Sequence, residues 1–262
     1  MERDPRLSFD AAADVYDEIR PRYPRAMFGE LFDVLPDAPA IVEVGPGTGQ
    51  ATRDLLQRGA TVTAVEIGRN LAAQLQRVIS SPRLSVIVGD FETVELPKQS
   101  FDALFAATAY HWISADAQLD RPGELLRPHG VVAVVDLNQV TSSDDKGFFA
   151  AAQPIYDRYG KGHKGPAAPR RGEVRPAIAD ALRADSRFQD TSVSSYDWNQ
   201  TYSAVEYRQL MLSYSGTQTM ELTRRQGLLD DMVAFINEHF EGEVTRPLVV
   251  TLTMGRRVDD AA

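Results

Sequence analysis

Val42-Glu43-Val44-Gly45-Pro46-Gly47-Thr48-Gly49 is the stretch on which the reading of this chain turns. Residues 40–44 enter it as a short apolar run, the signature of a buried strand. The three glycines then let the backbone turn sharply, and they leave no Cβ where a ligand would approach the main chain. Residues 50–58 read as a helix stopped by Gly59, and the start of that helix offers N–H groups with no partner inside it. A second apolar run, residues 61–67, carries Glu66 near its end. An acid placed about twenty residues after such a turn can take both ribose hydroxyls of a nucleoside.

The same alternation continues outward. Residues 69–79 read as a helix and residues 84–88 as a strand closing in Gly89-Asp90. Residues 101–107 read as a strand, 115–126 as a helix and 131–137 as a strand. Strands that alternate with helices imply parallel βαβ units, and near-continuous apolar strands imply a sheet covered on both faces. Beyond residue 140 the pattern changes. Residues 161–176 are rich in Gly, Pro and basic side chains and read as a loop or lid. A strand around 192–198, helices over 204–214 and 221–240, and a β-rich end at 246–254 follow. The last two strands would add an antiparallel pair to the sheet edge. The expectation is an α/β, doubly wound, mostly parallel sheet with an antiparallel C-terminal edge strand and helices on both faces. Residues 1–262 form one domain in this reading. Residues 1–36 are an N-terminal helical cap, 37–140 a binding core, and 141–262 a substrate-side lid or insertion with the C-terminal strands.

Two ligand classes use a glycine turn of this kind. A dinucleotide site wants G-x-G-x-x-G with pyrophosphate on the helix N-terminus. Here the third glycine is Gly49, one position early, and Gln50 stands where that pattern needs glycine. Glu43 beside the turn is a poor neighbour for pyrophosphate and a good one for an ammonium or sulfonium group. The turn therefore suits a positively charged nucleoside better than a dinucleotide.

Composition bounds the partners. The chain has 262 residues, 43% hydrophobic and 25% charged, with a formal net charge of −9. An acidic surface disfavours general binding to phosphate backbones or anionic membranes. The chain has no cysteine, so disulfides, zinc-thiolate sites and thiol nucleophiles are excluded together. No His/Asp/Glu cluster has metal-ligand spacing. The N-terminal stretch is charged and lacks a signal-peptide core, and no apolar run reaches the ~20 residues a membrane span needs. A cytoplasmic protein is expected; the oligomeric state is not legible.

With these residues in place, the sequence resembles the class I S-adenosylmethionine-dependent methyltransferases, in particular their small-molecule branch, whose sheet is Rossmann-like. The resemblance rests on acid-x-Gly-x-Gly-x-Gly, here Glu43-Val44-Gly45-Pro46-Gly47-Thr48-Gly49. It implies Glu66 on the ribose hydroxyls and Ile67 beside the adenine. Asp90 would meet the adenine amino group, with Phe91 as its apolar neighbour. Ala106 and Ala107 open the segment 106–112, which would lie under the methionine moiety and face the acceptor. Residues 9–24 look like the family's entrance helix, and Tyr16 and Arg20 would contact or cover the cofactor carboxylate. The implied cofactor is S-adenosyl-L-methionine, leaving as S-adenosyl-L-homocysteine.

Direct in-line methyl displacement needs alignment and exclusion of water. An alcohol, phenol or acidic N–H acceptor also needs a base. His111 follows the fourth strand at the carboxyl edge, where open α/β sheets bind ligands, and is the candidate. Tyr110, Trp112, Trp198 and Tyr214 are candidates for the acceptor pocket, with Tyr202 and Tyr207 as further aromatic walls; core packing accounts for these aromatics equally well. The basic run Lys161, His163, Lys164, Arg170 and Arg171 reads as a solvated loop or as a guide for an anionic acceptor. No Asn/Asp-Pro-Pro-Tyr segment follows the fourth strand, so a small-molecule acceptor is expected rather than nucleic acid. Two other functions fit the same residues: a binder of the cofactor without methyl transfer, or an enzyme of another reaction type. An NAD(P)-dependent oxidoreductase is the further alternative.

Overall fold

The computed structural model describes residues 23–162 and 167–259. Tyr16, Arg20, His163 and Lys164 lie outside the described residues. The elements run α1 (Arg25–Asp33), β1 (Ala40–Val44), α2 (Gln50–Gln57), β2 (Thr61–Glu66), α3 (Arg69–Val78), β3 (Leu84–Val88), β4 (Phe101–Ala107), α4 (Ala117–Leu125) and β5 (Leu126–Gln139). Then come α5 (Phe148–Ala151), α6 (Gln153–Arg158), α7 (Ala177–Ala184), β6 (Phe188–Ser203), α8 (Ala204–Leu212), α9 (Ser215–Gln218), α10 (Leu222–His239) and β7 (Glu243–Arg257).

The strands form one sheet in the order β3-β2-β1-β4-β5-β7-β6. From β3 to β5 every pairing is parallel. The C-terminal pair turns antiparallel, with Ala204 N–H donating to Gly242 O at one end and Val258 N–H donating to Arg187 O at the other. The strand order reverses between β1 and β4. That reversal opens a crevice beyond their carboxyl ends, because the loops leave in opposite directions there.

Two compact units make up the chain. Among the described residues the first holds 23–137, 175–196 and 250–259, and the second holds 138–162, 167–174 and 197–249. In the first unit, strand alternation sends side chains to two buried layers. Val42 and Val44 of β1, Leu104 and Ala106 of β4, and Val132 and Val134 of β5 share one layer with Leu125, Ile178 and Leu182 from α4 and α7. Phe105 points to the other layer and stacks on Phe28 of α1, ring centroids 6.1 Å apart. Helices thus cover both faces. The edge strand β3 is less buried than its neighbours.

Helix α4 contains Pro122, which cannot donate to the carbonyl four residues back. Tyr110 supplies the missing donor: its hydroxyl gives to Gln118 O at 2.6 Å. The second unit is built on aromatics. Phe148 makes edge contacts with Phe149, Tyr207 and Phe240, around the helices α8 and α10. Helix α8 starts in a capping box, Ser203 and Glu206 each bonding the other's backbone N–H. Among the described residues no helix is long and apolar enough to cross a membrane.

Candidate active site

The crevice at the carboxyl ends of β1 and β4 is lined by backbone. Gly45 N–H donates to Val65 O at 2.9 Å, and Gly49 N–H closes the turn on Pro46 O at 3.0 Å. Two of the glycines are required by their surroundings. Gly45 has φ +62°, and a Cβ there would sit 2.6 Å from the Ala109 Cβ. The loops after β1 and β4 therefore touch, leaving no room for a side chain. Gly49 caps α2 with φ +97°, and its Cβ would lie 2.6 Å from both Leu75 Cδ1 and Ile79 Cδ1. Pro46 is buried and Thr48 fully so.

Two acids meet this turn. Glu66, 4% exposed, ends β2 and accepts from Gly47 N–H at 3.0 Å and Gly68 N–H at 2.8 Å. One carboxylate thereby ties the glycine turn to the start of α3. Glu43, 1% exposed, sits on β1 and accepts from Thr52 Oγ1 of α2 at 2.7 Å. Burial pushes its carboxyl up to about 8, the Thr52 hydrogen bond works against that, and the nearby Glu66 charge adds to it. Near neutral pH burial keeps Glu43 protonated beside the ionised Glu66, and a cation bound next to them would favour its ionised form.

The loop after β3 is shaped by its own backbone. Asp90 accepts from Glu92 N–H at 3.0 Å through its carboxylate, and from the Val94 N–H through its carbonyl. Phe91 is buried. Arg121 of α4 lies over its ring at 5.3 Å and donates to the carbonyls of Phe91 and Val94. The sequence reading missed Arg121, whose role depends on a helix packing back on this loop. Ile67 is half-buried and Ala106 buried, with Ala107 partly open at the end of β4.

After β4 the chain makes a short 3₁₀ turn, Tyr110–Trp112. Thr108, a β-branched residue, adopts φ +54°, a conformation that stores strain. Its N–H donates to Val135 O and its hydroxyl meets Tyr23 at 3.2 Å. Tyr110 is buried, and its hydroxyl serves helix α4 as described. Gln118 Nε2 answers by donating to the carbonyls of Tyr110 and Ile113. His111 is exposed beside the half-buried Trp112, ring centroids 5.2 Å apart. Asp136 on β5 faces this turn electrostatically: burial pushes its carboxyl up, and His111 pulls it back down. Nothing in the local sequence marked Asp136, because the parallel pairing of β4 with β5 is what brings it near His111.

The structure thus gathers Glu43, residues 45–49, Glu66, Ile67, Ala106, Ala107 and His111 at one edge of the first unit's sheet, with Asp90 and Phe91 after neighbouring β3. Trp198 and Tyr214 belong to the second unit. Trp198 is half-buried on β6 with its Nε1 donating to Gln200 Oε1 at 3.4 Å. Tyr202 and Tyr207 are buried in the aromatic cluster. Of the basic run, Arg171 is committed: it donates to Leu248 O, Asp144 and Asn199, and forms a further ion pair with Asp197. Among the described residues no group of three acids or histidines is placed to hold a metal ion.

This is the fold of the Rossmann-like methyltransferases. Residues 42–134 match the model of the methyltransferase domain family. An uncharacterized methyltransferase of Mycobacterium bovis is 33% identical over 135 residues, covering 51% of this chain and 53% of that protein. Ribosomal RNA small subunit methyltransferase A of a Synechococcus strain is 48% identical over 60 residues, 22% of this chain and 21% of that protein. The chain therefore spans about half or less of the length of these curated relatives. In structure it is similar to phosphoethanolamine N-methyltransferase 2 of Haemonchus contortus, solved with phosphomonomethylethanolamine and S-adenosylhomocysteine. That likeness has a TM-score of 0.58 at 14% identity and covers 98% of this chain and 61% of the other.

Proposed function

We propose that the chain is an S-adenosylmethionine-dependent methyltransferase acting on a small-molecule acceptor. The observation that carries this reading is the pair of buried acids, Glu43 and Glu66, closed on a glycine turn at the strand-order reversal. A cationic nucleoside suits Glu66 and would draw the proton from Glu43, whereas a dinucleotide pyrophosphate would be repelled. Glu43, the turn 45–49, Glu66 with Ile67, Asp90 with Phe91, and Ala106 with Ala107 would hold the cofactor, with Tyr16 and Arg20 as the family resemblance implies. When bound, S-adenosylmethionine supplies an electrophilic methyl group on sulfur. The chain's own tasks are to orient the acceptor, exclude water and take a proton where the acceptor carries one. His111 is the residue proposed for that proton, with Asp136 holding the imidazole in place. Trp112, beside His111 in the same unit, is proposed to face the acceptor.

The acidic net charge and the Thr108-Ala109-Tyr110-His111 sequence after β4 support a small molecule over RNA. The match to the ribosomal RNA enzyme spans only 60 residues, too short a stretch to carry an acceptor preference. Calorimetric titration with S-adenosylmethionine, S-adenosylhomocysteine, NADH and NADPH, repeated on Glu66→Ala, tests the reading. Binding of the adenosyl ligands alone, weakened in the variant, is expected. A folded protein that ignores them overturns it, and nicotinamide binding in their place favours an oxidoreductase. Product mass then separates methyl transfer from binding without turnover.

A further inference from the structure

The second unit holds a guanidinium, that of Arg246, that no Asp or Glu among the described residues neutralises. Arg246 lies near the start of β7, two positions after Val244, so both point toward the aromatic cluster. It donates from Nη1 to Tyr214 Oη at 2.8 Å and from Nη2 to Gln139 Oε1 at 2.9 Å. Its Cζ stands 6.0 Å from the Tyr214 ring centroid. The groups that face it are the phenols of Tyr156, Tyr202, Tyr207 and Tyr214. Tyr156 and Tyr207 share a hydroxyl–hydroxyl bond of 2.9 Å. Among the described residues no Asp or Glu makes an ion pair with Arg246.

Other arginines of this unit are also half-buried: Arg208 stands near Asp230, and Arg225 donates to the Gln218 carbonyl. Arg171 is met by Asp144 and Asp197. A cation drawn into a protein interior is normally paired with an acid, and Arg246 meets phenols and an amide instead. Tyr and Gln dipoles orient a guanidinium but do not balance its charge. Guanidinium also offers five N–H donors in a flat fork, and the protein uses only two nitrogens of it here. Arg246 is half-buried as a residue.

We propose that Arg246 anchors a binding site for a small molecule that carries a carboxylate on an aromatic or apolar body. One guanidinium matches one monoanion, and the planar fork fits a carboxylate through two parallel hydrogen bonds. Phosphate near neutral pH would bring excess negative charge with no second cation to meet it. The phenol rings favour an apolar or aromatic body, and burial keeps the Tyr156 and Tyr207 hydroxyls protonated, one of them donating to the other. The inference lies wholly within the second unit and does not require methyl transfer.

Benzoate is the probe, titrated calorimetrically into the full chain at constant ionic strength, with inorganic phosphate and S-adenosylmethionine titrated in parallel. Wild type should take one benzoate per chain. Arg246→Lys keeps the charge but loses the fork, and should weaken benzoate about tenfold or more. Tyr214→Phe should weaken it by a smaller factor. Adenosyl-ligand affinity should not move in either variant, so failure here is distinguishable from failure of the proposed cofactor. In ¹⁵N-arginine-labelled wild type, the Arg246 Nε–H resonance should shift on titration, which keeps the test valid if Arg246→Lys fails to fold. Wild type that binds no benzoate at tens of millimolar, a silent Arg246 resonance, or unchanged affinity in Arg246→Lys overturns the site. Phosphate bound more tightly than benzoate overturns the carboxylate assignment.

Discussion

Glu43 is the side chain whose chemistry is most out of line with its surroundings. Its carboxyl, ordinarily near 4.5, is pushed up to about 8 by burial. The folded state therefore holds a proton that the unfolded chain releases near 4.5. The stabilisation this gives is complete below that pH, and it is lost as the pH rises through about 8. The loss is at most about 1.4 kcal/mol per pH unit. Glu43→Gln removes the titration and keeps the shape, so urea unfolding of the variant should be flatter between pH 5 and pH 8 (about the window set by the two values). An unchanged pH dependence would show that Glu43 is ionised in the fold. The same linkage reaches the ligand: a cation beside Glu43 favours the ionised form. S-adenosylmethionine binding should then tighten from pH 6 to pH 8 (about one unit either side of neutral) and release a proton, seen as buffer-dependent heat. At the acceptor end, His111→Ala should lower methyl transfer about a hundredfold or more with cofactor affinity unchanged. Turnover equal to wild type would mean the acceptor arrives already ionised. Asp136→Asn should give a smaller loss and a displaced pH–rate profile, the mark of a residue acting through His111.

The turn from β1 into α2 and the segment from β4 into α4 depend on contacts that local propensity does not describe. Gly49→Ala must place a Cβ against Leu75 and Ile79 in a left-handed conformation. A loss of about 2–4 kcal/mol is expected, read from the urea midpoint; a wild-type midpoint would mean α3 yields freely. Tyr110→Phe should cost about 1–3 kcal/mol, because Gln118 O then loses its donor under Pro122. What the sequence made legible follows from the same physics. Strands β1, β2, β4 and β5 announced themselves as apolar runs, and the contact of the glycine turn with Glu66 was legible because its spacing is local. Helix α7 was hidden behind Pro176 and a Gly/Pro-rich stretch; its buried Ile178, Ala179 and Leu182 matter only once the sheet is present. Strand β6 runs from Phe188 to Ser203, longer than the expected 192–198, because its polar alternation shows little apolar signal. Asp136, Arg121 and Arg246 escaped notice for a common reason: each is defined by a partner far along the chain.

Charge acts over the entire chain and bears on the acceptor. A formal net charge of −9 gives RNA no general electrostatic attraction, and arginines such as Arg127, Arg158 and Arg187 already stand in ion pairs with Asp102, Asp231 and with Asp120 and Asp185. Non-specific nucleic-acid affinity comes from counterions released as phosphates meet Lys and Arg, so it falls steeply with salt. A protein built to methylate ribosomal RNA needs such contacts over a broad surface. The match to a ribosomal RNA enzyme covers 60 residues, 22% of this chain. Fluorescence anisotropy with a small-subunit ribosomal RNA fragment should therefore give no binding tighter than about 10⁻⁴ M near physiological salt, with or without S-adenosylhomocysteine. A radiolabelled methyl group offered to a whole extract should appear in the small-molecule fraction and not in RNA. Micromolar RNA binding with a strong salt slope, or label in the RNA, would reassign the acceptor while leaving the cofactor site, Glu43 and Glu66 included, as it stands.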